Sequence, residues 1–376
     1  MPYELSDGAE IAPREWAEPC SSSEFRLHQL APYIGKLKSS IAGSLVEEYT
    51  SPGHTILDPF CGSGTIMLES ILRGRNAIAF DINPYAILLT RAKLQPPESL
   101  DEALDSLKVR LEGSRRRSSL PLENVPDWIR RFFHPHTLNR ALAFADECIE
   151  RNDAFLLACL LGILHHQRPG FLSYPSSHLV PYLRERKFPR SEYPELYAER
   201  SIEPRLRAKV ERALRTPLPL KDLGWGIVKR QDITSLDLDQ TIKVDAIITS
   251  PPYMNALDYV RDNRLRMWFL DRLTPDYSRE RTDKRAEFLS LTESFVGNAL
   301  RRIRKGGRCI LVVGETVRRK RMTSHPAELM LGCIRKLAPE VVLDRVIADV
   351  IPDVRRTRRQ GAATKKELIL VLRKSG

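Results

Sequence analysis

His54-Thr55-Ile56-Leu57-Asp58-Pro59-Phe60-Cys61-Gly62-Ser63-Gly64-Thr65 is the stretch from which the fold can be read. It opens as a short apolar run ending on an acidic residue, the pattern of a strand buried in a parallel sheet. It then becomes a glycine-rich turn and runs on through IMLESILRG, an amphipathic helix closed by Gly74. NAIAFDIN repeats the strand pattern and ends at Asp81, and PYAILLTRAKL opens a helix with Pro84 in its first turn. Upstream, SSIAGSLVEEYT carries apolar residues at helical spacing until Ser51, Pro52 and Gly53 break it. Two strands joined by a helix of this length form a βαβ unit, so the sheet is parallel and its crossover right-handed.

Outward from this unit the strand signal vanishes over residues 95–220, which hold a basic tract (Arg115, Arg116, Arg117) and a long helical pattern from Thr137 to His166. A Pro/Ser/Tyr-rich loop and RERKFPR follow within the same stretch. Strand rhythm returns with GIVKRQDI, VDAIITSPPY, CILVVGE, VVLDRVIADV and ELILVLRK. The expected architecture is α/β, one doubly wound domain over residues 24–94 and 221–376. It is interrupted by a helical insertion at 95–220 and preceded by an irregular segment at 1–23.

Composition narrows the function classes. The 376 residues are long enough for a large core, and no run approaches the roughly 18 to 20 apolar residues of a membrane span. The N-terminal stretch has neither a basic start nor an apolar run, which points to the cytoplasm. Six cysteines without a CxxC pair or a histidine at ligand spacing indicate no metal and no disulfide framework. The net charge of +12 favours a polyanionic partner. From Arg301 to Gly376 there are 20 Lys plus Arg against 7 Asp plus Glu, a surplus that exceeds the net charge of the whole chain.

The turn at Asp58–Thr65 reads as a cofactor site. Gly62 and Gly64 let backbone approach a ligand, and Asp81, about twenty residues on, has the spacing of a carboxylate that meets ribose hydroxyls from the next strand. A dinucleotide turn would need a third glycine and a phosphate loop a lysine; neither is present. Ser250-Pro251-Pro252-Tyr253 ends the strand VDAIIT, and two prolines freeze an extended loop where ligands bind in open α/β sheets. An exocyclic base amine is a poor nucleophile with a delocalised lone pair, so it must be held by acceptors as it meets a methyl carbon in line. The Ser250 hydroxyl and the Pro251 carbonyl are such acceptors, and Tyr253 offers a face on which a flipped base can stack.

These motifs resemble the DNA amino-methyltransferases, whose cofactor motif reads DPFxGSGT and whose cytosine-N4 members typically carry SPPY. The resemblance implies a Rossmann-like class I sheet with an antiparallel last strand and S-adenosylmethionine as methyl donor. It implies that Asp58, Pro59, Phe60, Cys61, Gly62, Ser63, Gly64 and Thr65 bind the donor, with the backbone from Phe60 to Gly64 along its methionine end. Asp81 would meet the ribose, Ile82 and Asn83 belong to the same cofactor site, and Asp232 would lie near the adenine amino group. Pro32 and Lys36, in HQLAPYIGKLKSS, resemble the family's N-terminal cofactor motif. Ser250 in first place points to cytosine rather than adenine, in DNA of a bacterial nucleoid. No covalent intermediate is needed, so Cys61 is a small turn residue rather than a nucleophile.

If the strands run as in such sheets, Arg318, Arg319, Lys320 and Arg321 emerge beside SPPY. So do Arg355, Arg356, Arg358 and Arg359. The insertion is then the candidate target-recognition region. A cognate restriction endonuclease is the implied partner, although no attached nuclease is visible and the order of the two motifs is the reverse of many SPPY enzymes. Adenine-N6 methylation, an RNA base methyltransferase and a non-catalytic nucleic-acid-binding module are the competing readings.

Overall fold

The computed structural model describes residues 5, 8–18, 24–117, 120–177, 180–216, 222–239, 241–252, 259–272, 283–316, 325–351 and 364–376. Its frame is one eight-stranded sheet. In chain order the strands are β1 (Glu10–Ile11), β2 (Thr55–Asp58), β3 (Asn76–Asp81), β4 (Gly226–Arg230), β5 (Val244–Thr249), β6 (Ile303–Thr316), β7 (Val341–Val350) and β8 (Thr364–Lys374). In space they lie in the order β1-β7-β8-β6-β5-β2-β3-β4. All neighbouring pairs are parallel except those made by β8, which runs antiparallel to both β6 and β7. The sheet is mostly parallel, with the antiparallel last strand expected from the sequence.

Alternation along the strands divides the interior into two layers. Ile56, Ala79, Ala246, Ile248, Ile310 and Val312 face one way. There they pack with Leu45 of the Ser39–Tyr49 helix, Ile66 of Thr65–Leu72 and Leu89 of Pro84–Leu94. Leu57, Ile78, Phe80, Ile247, Leu311 and Val313 face the other way, onto Phe295 of the Lys284–Asn298 helix and Ile334 of Pro326–Leu337. Strands covered on both faces need no polar alternation, which is why β2, β3 and β5 read as continuous apolar runs.

Residues 95–220 contribute helices at Leu100–Arg115, Asp127–Arg130, Pro135–Glu150, Ala154–Gly162 and Ile202–Ala213. Leu107, Phe144 and Leu160 belong to the same buried cluster as Ile56 and Leu89, so these helices form an outer layer on the sheet's first face. The helix expected to run from Thr137 to His166 is two helices. Asn152 takes a left-handed φ of 53°, and the Asp153 carboxylate then caps the second helix through the Leu156 amide at 3.0 Å. The N-terminal segment expected to be irregular supplies the edge strand β1, paired with β7, and a short helix, Arg14–Ala17, that buries Trp16. Among the described residues, no helix is long and apolar enough to cross a membrane.

Candidate active site

Because β2 to β6 all run the same way, their carboxyl ends share one edge of the sheet. β2 ends at Asp58 and its neighbour β5 at Thr249, and the Thr249 hydroxyl donates to Asp58 Oδ1 at 2.6 Å. The glycine turn and the double proline therefore leave adjacent strands side by side. Asp58 also accepts from the Phe60 amide at 3.1 Å. It is 1% exposed, and burial pushes its carboxyl up to about 7 despite these two donors, with Asp81 adding to the rise.

The turn itself is shaped by its glycines. Gly62 (φ 50°) and Gly64 (φ 70°) both lie in the left-handed region. A Cβ on Gly64 would stand 2.6 Å from Thr90 Oγ1 and 3.0 Å from the Thr90 Cα. The Cys61 amide donates to the Phe80 carbonyl at 3.0 Å and the Gly64 amide to the Cys61 carbonyl at 2.8 Å. Pro59, Cys61, Ser63 and Thr65 are buried, and the Ser63 and Thr65 hydroxyls are 3.2 Å apart. Burial, with the charges of Asp81 and Asp58, holds the Cys61 thiol well above its ordinary value and leaves it no nucleophilic form at neutral pH.

Asp81 accepts from the Gly62 amide at 2.9 Å and from the Asn83 amide at 2.8 Å. Asn83 in turn caps the next helix through the Tyr85 amide. Burial raises the Asp81 carboxyl, and the backbone donors pull it back. The side chain keeps partial exposure, and Ile82 beside it is 60% exposed. A half-open carboxylate next to an uncovered aliphatic side chain fits a ribose and the base attached to it.

The remaining sequence-derived residues divide. Asp232 follows β4 at the same edge, where the Gln231 amide bonds to the Asp81 carbonyl. Its carboxylate caps a 3-10 turn through the Thr234 amide at 2.9 Å. Pro32 accepts from the Tyr85 hydroxyl at 2.8 Å, whereas the Lys36 ammonium donates to the His28 carbonyl. The residue of this segment that meets the turn is Tyr33, whose ring lies 3.4 Å from where a Gly62 Cβ would be and 5.9 Å from the Tyr85 ring. Ser250 donates its hydroxyl proton to the Val312 carbonyl of β6 at 3.1 Å, Pro251 is buried and Pro252 exposed. Tyr253 lies outside the described residues, as do Arg318, Arg319, Lys320, Arg321, Arg355, Arg356, Arg358 and Arg359. The strand ends on either side of those two basic stretches of sequence, Thr316, Val350 and Thr364, stand at the site's edge of the sheet.

Three arginines give no signal in the sequence and yet tie the Tyr259–Asp271 helix, next in the chain after the proline loop, to the outer helices. Arg264 donates to the Pro181 carbonyl at 3.0 Å and lies over the Trp128 ring. Arg266, 1% exposed, donates to the Leu161 carbonyl at 3.3 Å and faces Tyr85. Arg272, just past the helix, pairs with Asp146. By contrast, the basic tract at Arg115–Arg117 is partly neutralised, with Arg115 paired to Glu203 and Arg117 to Glu147 and Glu150.

Residues 36–91, which span the turn and both of its helices, match a family model described as DNA methylase, N6_N4_Mtase. The type II methyltransferase M.BsoBI of Geobacillus stearothermophilus is 25% identical over 65% of this chain and 52% of its own length. The type II methyltransferase M.MjaII of Methanocaldococcus jannaschii is 35% identical over 18% of this chain and 13% of its own. The chain thus spans about half the length, or less, of the curated relatives it matches. TrmN from Thermus thermophilus is a distant structural likeness, with 15% identity, a TM-score of 0.37, and coverage of 93% of this chain and 52% of that one. Through its cofactor turn the chain is similar to DNA amino-methyltransferases, enzymes whose methyl donor is S-adenosylmethionine.

Proposed function

We propose that this protein transfers a methyl group from S-adenosylmethionine to the N4 amine of cytosine in DNA, acting directly on a base flipped out of the duplex. The observation that carries the reading is the 2.6 Å bond between Thr249 and Asp58, which ties the last residue before Ser250-Pro251-Pro252 to the first residue of the glycine turn. A donor held at the turn and an amine held at the prolines are thereby within reach of each other. The bound donor supplies an electrophilic methyl on a sulfonium. What the chain must supply is orientation and a place for the amine's hydrogens. The Ser250 hydroxyl, which donates to the Val312 carbonyl, is the first acceptor in this reading. The Pro251 carbonyl is the second acceptor, and the stacking role belongs to Tyr253. Serine in first place supports cytosine by likeness to SPPY enzymes.

Contacts to the DNA backbone come, in this reading, from Arg318–Arg321 and Arg355–Arg359, and recognition of the target sequence from the outer helices. A cognate restriction endonuclease and a cytoplasmic, nucleoid-associated setting belong to the same proposal. The test is mass spectrometry of nucleosides from DNA of a host without either modification, expressing the wild-type protein or its Ser250→Ala variant. N4-methylcytosine in the first and not the second is the expected result. N6-methyladenine would overturn the base assignment. Methylation of RNA in place of DNA would overturn the substrate.

A further inference from the structure

Beneath the glycine turn lies a pair of buried polar side chains with no role in the chemistry above. Thr90 and Lys93 stand three residues apart on the Pro84–Leu94 helix, so both present to the same side of it. They are 0% and 2% exposed. The Thr90 hydroxyl donates to the Gly62 carbonyl at 3.2 Å, and the Lys93 ammonium donates to the Ser63 carbonyl. The Cys61 sulfur is 3.5 Å from the Thr90 oxygen. The absence of a side chain on Gly64 is what lets the turn settle on Thr90 so closely.

A trans peptide points its N–H opposite to its C=O. Turning the Gly62 carbonyl down onto Thr90 therefore turns the Ser63 amide up, away from the helix. The flanking groups are also fixed, with the Gly62 amide on Asp81 and the Gly64 amide on the Cys61 carbonyl. Lys93 is an expensive way to fill this position, since a buried ammonium costs several kcal/mol. Burial and the charge of Lys36 push it down to about 7, against the pull of Glu24, Cys61 and Glu69. A leucine or methionine would pack there without that cost but could not hold a carbonyl.

Resting on the donor-binding reading above, we propose that Thr90 and Lys93 are positioning residues for the methyl donor. They anchor the Gly62 and Ser63 carbonyls to the helix, and so aim the Ser63 amide at an acceptor oxygen of the bound donor. Neither side chain touches the donor. Both act through the turn.

Calorimetric titration of the full chain with S-adenosylmethionine, beside thermal unfolding, tests this. Valine matches threonine in shape but lacks the hydroxyl, so Thr90→Val weakens donor affinity about fivefold, the worth of one neutral hydrogen bond. Thr90→Ser keeps the hydroxyl and stays within about twofold. A role in packing alone predicts the reverse order. Lys93→Met is expected to lower donor affinity at least tenfold while the melting temperature of the ligand-free protein holds or rises, a combination that a purely structural role does not give. Wild-type affinity in both Thr90→Val and Lys93→Met would overturn the proposal while leaving the proposed function standing. Absence of donor binding to the wild type would overturn both. Thr90→Val decides the matter if Lys93→Met does not fold.

Discussion

Donor binding should expel protons through Asp58. Ordinary aspartate titrates near 3.8; in this fold burial raises Asp58 to about 7, so at neutral pH the ligand-free protein carries this carboxyl about half protonated. The residue sits directly beneath the turn that follows it. A sulfonium cation bound at that turn would favour the carboxylate; at a separation on the order of 6 Å and an effective dielectric of about 20 the effect would be about 3 kcal/mol, or about two pKa units. The bound state then titrates well below 7, and binding at pH 7 releases about half a proton. The sign follows from linkage. The raised pKa means the free protein holds the proton and the complex does not, so affinity weakens as pH falls below about 7, by at most tenfold per unit, until the complex is protonated too. The same raised value predicts that the ligand-free fold loses stability as pH climbs from about 4 to 7. Titration calorimetry in phosphate and in Tris at one pH reads the proton count from the difference in apparent enthalpy. Asp58→Asn should remove the share due to Asp58, and Lys93→Met the share due to the ammonium that also titrates near 7. Equal enthalpies in the two buffers, or net uptake of protons, would rule out a protonated Asp58 in the free protein that ionises on binding.

Four further outcomes follow from the geometry. Ser250→Ala should cut methyl transfer at least about 100-fold, the usual cost of losing a preorganised polar group at the reacting centre, with donor and DNA affinity within about twofold by calorimetry and anisotropy. Gly64→Ala combines a φ of 70° with a 2.6 Å clash against Thr90, so it should lose about 2 kcal/mol or more of stability in urea unfolding along with donor binding. Arg266→Met replaces a fully buried guanidinium that has no acidic partner among the described residues. The melting temperature should hold or rise, and a fall of several degrees would show that the Leu161 carbonyl bond outweighs the desolvation cost. Joint replacement of Arg301, Lys305 and Lys336 by glutamate should leave the salt slope of DNA binding within experimental error, whereas removing Arg355, Arg356, Arg358 and Arg359 should reduce it by about 0.9 for each phosphate they neutralise.

The parts of this molecule that were legible in the sequence are those fixed by local rules. The βαβ unit followed from apolar runs ended by Asp58 and Asp81 and from the helix end at Gly74, whose φ of 74° fulfils the role that only the residue type announces. The neighbourhood of the turn and the proline loop followed from strand ends in a parallel sheet. What stayed hidden depends on which side chains the fold brings together. Lys36 reads like a cofactor residue, and the sequence does not announce that it donates to the His28 carbonyl or that Tyr33, three positions earlier, meets the turn. Lys93 looks like the charged end of an amphipathic helix and is buried. Asn152 breaks the long helical pattern because asparagine tolerates the left-handed region, a preference too weak to outvote the apolar periodicity around it.

Charge shows the same division between amount and place. The surplus after Arg301 is a property of composition, but β6 enters the sheet at one pole and leaves at the other, and β8 runs back. Arg301, Arg302, Arg304, Lys305, Arg308, Arg373 and Lys374 accordingly gather at the amino ends of β5 and β6, and Arg335 and Lys336 end the helix that leads into β7. Part of that group is neutralised where it stands: Arg304 pairs with Asp245 at 2.7 Å, and Arg308 and Arg373 share Asp344. A duplex engaged at the carboxyl ends cannot also lie against this pole, a full strand length away. Under the proposed function the cations left to it are the four of residues 318–321 and the six of residues 355–366, half of the twenty. The electrostatic footprint on DNA should therefore be smaller than the net charge implies, and confined to the face where Ser250 and the glycine turn meet.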